Sequence, residues 1–136
     1  MRAYPLKIVT PDGIQFDGMA EELVVRTTGG DVAILAGHIN YVSPLGMGQA
    51  TVRTDGGKRY AACMGGMVSV VDGKVTLVPT TFEWADKIDV ARAEASQHKA
   101  ETVLSQTGVG DTDIRLAEAR LKRALIRKSV ASHKHK

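Results

Sequence analysis

Glycine is spread so unevenly along this 136-residue chain that it divides the sequence in two. Twelve of the fourteen glycines, all four prolines and all six aromatic residues precede residue 85. In that part Asp12-Gly13, Gly29-Gly30, Gly56-Gly57 and Asp72-Gly73 recur at short intervals, each between runs rich in branched aliphatic residues. Glycine supplies the positive φ that tight hairpin turns demand, so the spacing reads as strand, turn, strand. LKIVT and IQF flank the first turn, ELVVRT and VAIL the second, QATVR and KRYAACM the third, VSVV and KVTLVP the fourth. Eight or more short strands in about 80 residues predict an antiparallel β-sandwich or flattened barrel over residues 1–84.

Residues 85–136 read differently. From Asp86 to Thr107 there is no glycine or proline and alanine is frequent, which favours a helix. Gly108-Val109-Gly110 interrupts the run. Asp111, Thr112 and Asp113 then offer N-cap candidates for a second helix. The second helix places Ile114, Ala117, Leu121, Ala124 and Leu125 on one stripe, and the first offers Val90, Ala93, Ala100, Val103 and Leu104. The prediction is an antiparallel two-helix hairpin with narrow, alanine-rich seams. A pair of helices has no core of its own, and helical stability comes mostly from tertiary packing. Such an appendage leans on the β domain, a partner or a ligand, and suits two conformations. The terminal Ser132-His133-Lys134-His135-Lys136 reads as a solvated tail.

Several classes of function lack their motif. There is no G-x-x-x-x-G-K-[ST] loop, G-x-G-x-x-G turn, H-E-x-x-H or G-x-S-x-G, so no catalytic residue is assigned. The single cysteine, Cys63, cannot form an internal disulfide or build a thiolate metal site, and no metal ligand set is assigned. No apolar run approaches the roughly 20 residues that span a bilayer. The start, MRAYPLKIVTPDG, has no secretory h-region, which predicts a chain retained in the cytoplasm and at most peripheral to a membrane. A basic excess develops late: from Arg115 onward there are eight basic residues and one acid, Glu118. With no aromatic residue among them to stack on bases, nucleic acid is not the expected partner.

The cations of the hairpin fall at helical repeats. Arg92 and Lys99 are two turns apart, and Arg123 and Arg127 one turn apart. In an antiparallel hairpin Arg92 comes opposite the region of Arg127, and Lys99 nearer Arg123 or Arg120. Two cations about 5 Å apart repel by about 3 kcal/mol at an effective dielectric near 20. Cations crowded on one side would therefore want an anion with several oxygens, such as a nucleoside triphosphate. Spread over a solvated face, they would need nothing.

At this point the residues resemble a known family. Val9-Thr10-Pro11-Asp12-Gly13, then Asp31-Val-Ala-Ile-Leu-Ala-Gly37-His38, then Gly65-Gly66-Met67-Val68 with Val75-Thr-Leu-Val78, and finally the alanine-rich hairpin, stand in the order found in the epsilon subunit of bacterial F-type ATP synthases. The resemblance covers essentially the whole chain. It implies a non-catalytic central-stalk subunit, on the cytoplasmic side of the cell membrane, that couples rotation driven by proton transport to ATP synthesis. The sandwich, as the rotor-binding domain, would meet the gamma subunit and the c-subunit ring, with Asp31 and His38 toward the ring. The hairpin, as the regulatory domain, would inhibit ATP hydrolysis when extended into the alpha and beta subunits. Arg115, Arg120, Lys122, Arg123, Arg127 and Lys128 would then face acidic beta segments.

Some members similar to this one also bind ATP, with or without magnesium, at the folded-down hairpin through Ile or Leu, Asp, two variable residues, Arg and Ala. Ile88-Asp89-Val90-Ala91-Arg92-Ala93 fits that motif completely. The resemblance adds Glu83, Lys99, Arg123 and Arg127 to the expected nucleotide site. Asp89 would accept from the adenine amino group, and the arginines would hold phosphates. Lys99 departs from the arginine of well-binding relatives, keeping the charge but losing the planar fork. Two alternatives remain from the residues alone: a free-standing nucleotide sensor and a plain helix-pairing scaffold.

Overall fold

The computed structural model describes residues 2–135, and the side chains of residues 2–133. The chain forms two compact units, Met1–Trp84 and Ala85–Lys136. The first contains ten strands: β1 (Tyr4–Thr10), β2 (Gly13–Ala20), β3 (Glu22–Thr27), β4 (Gly30–Leu35), β5 (Tyr41–Pro44), β6 (Met47–Thr54), β7 (Gly57–Met64), β8 (Met67–Val71), β9 (Lys74–Val78) and β10 (Thr81–Trp84). They make two five-stranded sheets, ordered β2-β1-β9-β8-β5 and β10-β7-β6-β3-β4. The four glycine-marked turns each join an antiparallel pair: β1/β2, β3/β4, β6/β7 and β8/β9. The parallel pairing of β1 with β9, Leu6↔Val75 to Ile8↔Leu77, completes the first sheet.

Alternation explains why these strands face as they do. In β1 and β3 every second residue is buried, Tyr4, Leu6, Ile8 and Thr10 in one and Leu23, Val25 and Thr27 in the other. The apolar members, Tyr4, Leu6, Ile8, Leu23 and Val25, form one core between the sheets with Ile34, Val52, Val68, Val70 and Leu77. Each fully buried aliphatic side chain is worth about 1.5–3 kcal/mol. The Tyr4 hydroxyl spans the core to donate to the Ile34 carbonyl oxygen at 2.6 Å. Burial, and then the nearby Glu22 charge, push the Tyr4 phenol pKa upward.

Three of the crossings between sheets, at Leu45–Gly46, Gly65–Gly66 and Pro79–Thr80, are tied together. Leu45 N–H donates to Gly66 O at 2.8 Å, Gly65 N–H to Gly46 O at 3.1 Å, and Thr80 N–H to Gly65 O at 3.4 Å. Gly66 has φ +92°, and a Cβ there would lie 2.0 Å from the Val78 carbonyl oxygen. Only glycine fits this crossing.

The second unit begins with a 3-10 turn, Ala85–Lys87, followed by α1 (Val90–Ser105) and α2 (Asp111–Ala131). The buried residues of α1 are Ala93 and Ala100, and those of α2 include Ala117, Ala124 and Ala131. All recur at seven residues, so the helices meet along alanines. Leu125, expected on this seam, is 47% exposed, and Leu116 is 64% exposed. One residue past Ala124 is a rotation of about 100°, which carries Leu125 off a seam only one methyl wide. Gly110, not an acid, holds the N-cap position of α2 and makes no side-chain cap bond; Asp111 and Asp113 sit in the first turn, favourable to the helix dipole. Ser132–His135 forms a 3-10 turn rather than a loose tail. The side chains of Lys134 and His135, and all of Lys136, lie outside the described residues.

Candidate functional site

The outer face of the first sheet is the clearest unpartnered surface of the sandwich unit. The registers align Pro44 with Met67 and Met67 with Val78. Val9 lies one residue beyond the Ile8↔Leu77 pair and opposite Ile14. One apolar row, Pro44–Met67–Val78–Val9–Ile14, thus crosses all five strands. Met67, Val78 and Ile14 are 42%, 47% and 59% exposed. Beside it, Lys7 opposes Asp17 across β1/β2, with Val42 further along at the β5 edge. An open antiparallel face is ordinarily polar, and a contiguous apolar patch marks an interaction surface. Sequence reasoning missed it, although the signal was present. MVSVV and KVTLV carry apolar residues in both alternating phases, which is the pattern of a strand covered on two sides.

Asp31 lies in the second sheet and His38 in the loop that follows β4, and the two do not come together. Asp31 is the second residue of β4, beside the β3/β4 turn, whereas His38 follows the end of β4, its N–H donating to Leu35 O at 3.2 Å. Asp31 and Leu35 are already four residue steps apart along the strand, about 13 Å. Asp31 is paired with Arg26, Nε to Oδ1 at 2.6 Å and Nη2 to Oδ2 at 3.3 Å. The hydrogen bond and charge of Asp31 hold that guanidinium more firmly protonated. The Arg26 stem lies so close over Gly48 that a Cβ there would be 2.7 Å away. His38 stands edge-on to Tyr41 with ring centroids 5.6 Å apart.

In the hairpin unit the Ile88–Ala93 segment is gathered at the start of α1. Ile88 and Ala93 are buried, and Arg92 is exposed. Asp89 is the N-cap, its Oδ1 accepting from the Arg92 N–H at 3.1 Å. Lys99 is exposed two turns along the same helix. On α2, Arg123 and Arg127 are half-buried, one turn apart, on a stripe with Arg120 and Leu116. Arg115 and Lys122, two turns apart, are exposed on a second stripe with Leu125. Lys128 is half-buried and donates to Gln97 Oε1 at 2.9 Å, a bond between the helices. Glu83 belongs to β10 of the sandwich unit, opposite Ala62. At the closed end of the hairpin a concavity of about 370 Å³ is lined by Ala100, Val103, Ala117 and Leu116, with Asp113 and Arg120 among its polar groups.

No group of three or more metal-ligating side chains occurs among the described residues. No helix among them is long and apolar enough to cross a membrane.

Comparison with known proteins relates both units to one family. Residues 3–85 match the model of the ATP synthase, Delta/Epsilon chain, beta-sandwich domain. Residues 86–132 match that of the ATP synthase, Delta/Epsilon chain, long alpha-helix domain. The ATP synthase epsilon chain of Ruminococcus albus is 44% identical over 98% of this chain and 100% of its own. That of Bacillus velezensis is 41% identical over 98% of this chain and 100% of its own. Among solved structures, a chain of the mitochondrial ATP synthase of Euglena gracilis (OSCP, F1 and c-ring) superposes with a TM-score of 0.78. That likeness covers 91% of this chain and 78% of that one and, at 24% identity, bears on the fold. Two family domains in the same order, with relatives matched from end to end, leave one conclusion: the chain belongs to the epsilon-subunit family of F-type ATP synthases.

Proposed function

We propose that the chain is a non-catalytic rotor subunit in the central stalk of a proton-transporting ATP synthase, peripheral to the cytoplasmic face of a bacterial cell membrane. The observation that carries this reading is the apolar row across the first sheet. A flat surface centred on Met67 and Val78, with the Lys7–Asp17 pair beside it, suits permanent seating against another protein, here the gamma subunit. The Asp31 turn and the His38 loop, at opposite ends of β4, would make two separate contacts with the c ring. The hairpin is the regulatory part. Its exposed Arg115, Arg120 and Lys122, with half-buried Arg123 and Arg127, would engage acidic segments of the beta subunits and restrain hydrolysis. Lys128 would have to leave Gln97 to join them. In the folded-down hairpin, ATP would be held by Arg92, Lys99, Arg123 and Arg127, with Glu83 and the Ile88–Ala93 segment completing the site.

The test is ATP hydrolysis and assembly of the reconstituted complex. Met67→Lys together with Val78→Lys should prevent the chain from joining the complex. Deleting residues 85–136 should leave assembly intact and raise hydrolysis. Normal assembly of the double lysine variant would refute the proposed seating face. Equal loss of hydrolysis and synthesis on deletion would make the hairpin structural rather than regulatory.

A further inference from the structure

The closed end of the hairpin carries an apolar hollow that its own side chains leave unfilled. Ala100 and Val103 of α1, Val109 of the turn and Ala117 of α2 shape the concavity of about 370 Å³. Gly108 and Gly110 close its end without adding a side chain. Leu116 stands at its side, 64% exposed, where an apolar residue of that size ordinarily has cover.

The rim of the hollow has a pattern of charge. Asp113, Leu116 and Arg120 are three and four residues apart, so they share one stripe of α2. Asp113 and Arg120 lie two turns apart, about 10 Å, with the leucine between them. Both are exposed, and among the described residues neither side chain has an ion-pair partner. A wholly acidic partner would meet Asp113, and a wholly basic one would meet Arg120. A partner that suits both must carry the two signs in reverse order, at the same spacing, about an apolar residue. A second α2 running the opposite way has that order. Setting Asp113 against Arg120 of the second copy sets Leu116 against its Ala117, the alanine that lines the hollow. The two-fold then repeats each contact in the other direction.

We infer that this face is a self-association surface: two copies of the chain pair tip to tip through antiparallel α2 helices, each Leu116 entering the other's hollow and each Asp113 meeting the other's Arg120. Such a contact is isologous and closes at two copies. The leucines supply the attraction, because exposed ion pairs contribute little. The charges set direction and register. One leucine and two charges a side make a small patch, so the pair exchanges with the single chain. Arg120 also belongs to the basic surface proposed to engage acidic segments, so a paired copy is withheld from that contact.

Sedimentation of the full chain between about 1 µM and about 1 mM measures the pairing. The average mass should rise with concentration and level off at two copies. Leu116→Ala should weaken pairing about a hundredfold, tenfold for each leucine withdrawn. Arg120→Asp and Asp113→Arg should each leave the chain single, since each sets like charges against one another in both contacts. Mixed in equal amounts, the two variants should pair again, because each supplies the sign that the other lacks. That recovery also shows that both are folded, and helical ellipticity checks each one alone. A chain that stays single up to the highest concentration would overturn the inference. Pairing that Leu116→Ala and Arg120→Asp leave unchanged would overturn it as well, and would move the contact to another face such as the apolar row of the sandwich. Folded variants that fail to pair on mixing would refute the antiparallel register on which it stands.

Discussion

The two units of this chain reach order by opposite means. The sandwich buries large branched side chains, Leu6, Ile8, Leu23, Ile34 and Leu77, between sheets whose pairings span distant parts of the sequence. The hairpin buries mainly alanines at seven-residue spacing along two helices that are neighbours in sequence. A buried methyl contributes about 0.8 kcal/mol, against about 1.5–3 for a buried leucine or valine. The sandwich is thus held by volume and the hairpin by close approach. The contrast makes the hairpin the unit whose packing a small change in contact would disturb most.

The most severe way to break the contrast lies at the crossing between sheets. Gly66→Ala would set a methyl 2.0 Å from the Val78 carbonyl oxygen at a φ of +92°. The expected loss is about 3 kcal/mol or more, read as a lower denaturation midpoint of the strand signal. Little change would mean that the three crossings do not constrain one another.

The hairpin should break differently, through too much volume instead of a misplaced backbone. Ala124 is fully buried, and Ala124→Leu would force the helices apart at a cost of about 1–3 kcal/mol. Helical ellipticity should melt earlier while the sandwich transition stays in place. A single shifted transition for both signals would show that the units do not unfold independently.

The smallest effect concerns pH and belongs to the sandwich alone. Burial pushes the Cys63 thiol up from its ordinary range to about 12. The folded state therefore binds that proton when the unfolded chain has begun to lose it. Stability from this group is intact below the unfolded value and declines as pH rises toward the folded one. About 1 kcal/mol should be lost between about pH 8 and pH 10. Unfolding titrations of Cys63→Ala should show a flatter alkaline limb. An equal slope in both proteins would place the alkaline sensitivity elsewhere, with Tyr4 the next group to examine, because its phenol is also raised by burial.

What could be read from the sequence follows the density of local signals. The four hairpins were legible because Asp-Gly and Gly-Gly pairs leave few alternatives for the backbone. β5 and β10, four residues each, were not, because no turn pair announces them and β5 ends on Pro44. The alanine spacing gave the helices, but their phase was ambiguous by one residue, enough to misplace Leu125. At the candidate site, the Ile88–Ala93 segment stood out as a pattern, whereas its cap geometry required coordinates. The apolar row was harder still. Val9, Ile14, Pro44, Met67 and Val78 come from five strands, and only the register brings them into line.

The bond from Lys128 to Gln97 has a consequence of its own. An amide oxygen is a neutral acceptor, so the ammonium is anchored without being discharged. Had position 97 carried a carboxylate, the same bond would have cancelled the field of Lys128 and weakened with added electrolyte. As built, the tether between the helices is indifferent to ionic strength, while the full positive charge still projects from α2. Salt can therefore screen the charge carried by α2 without loosening the bond that joins the two helices.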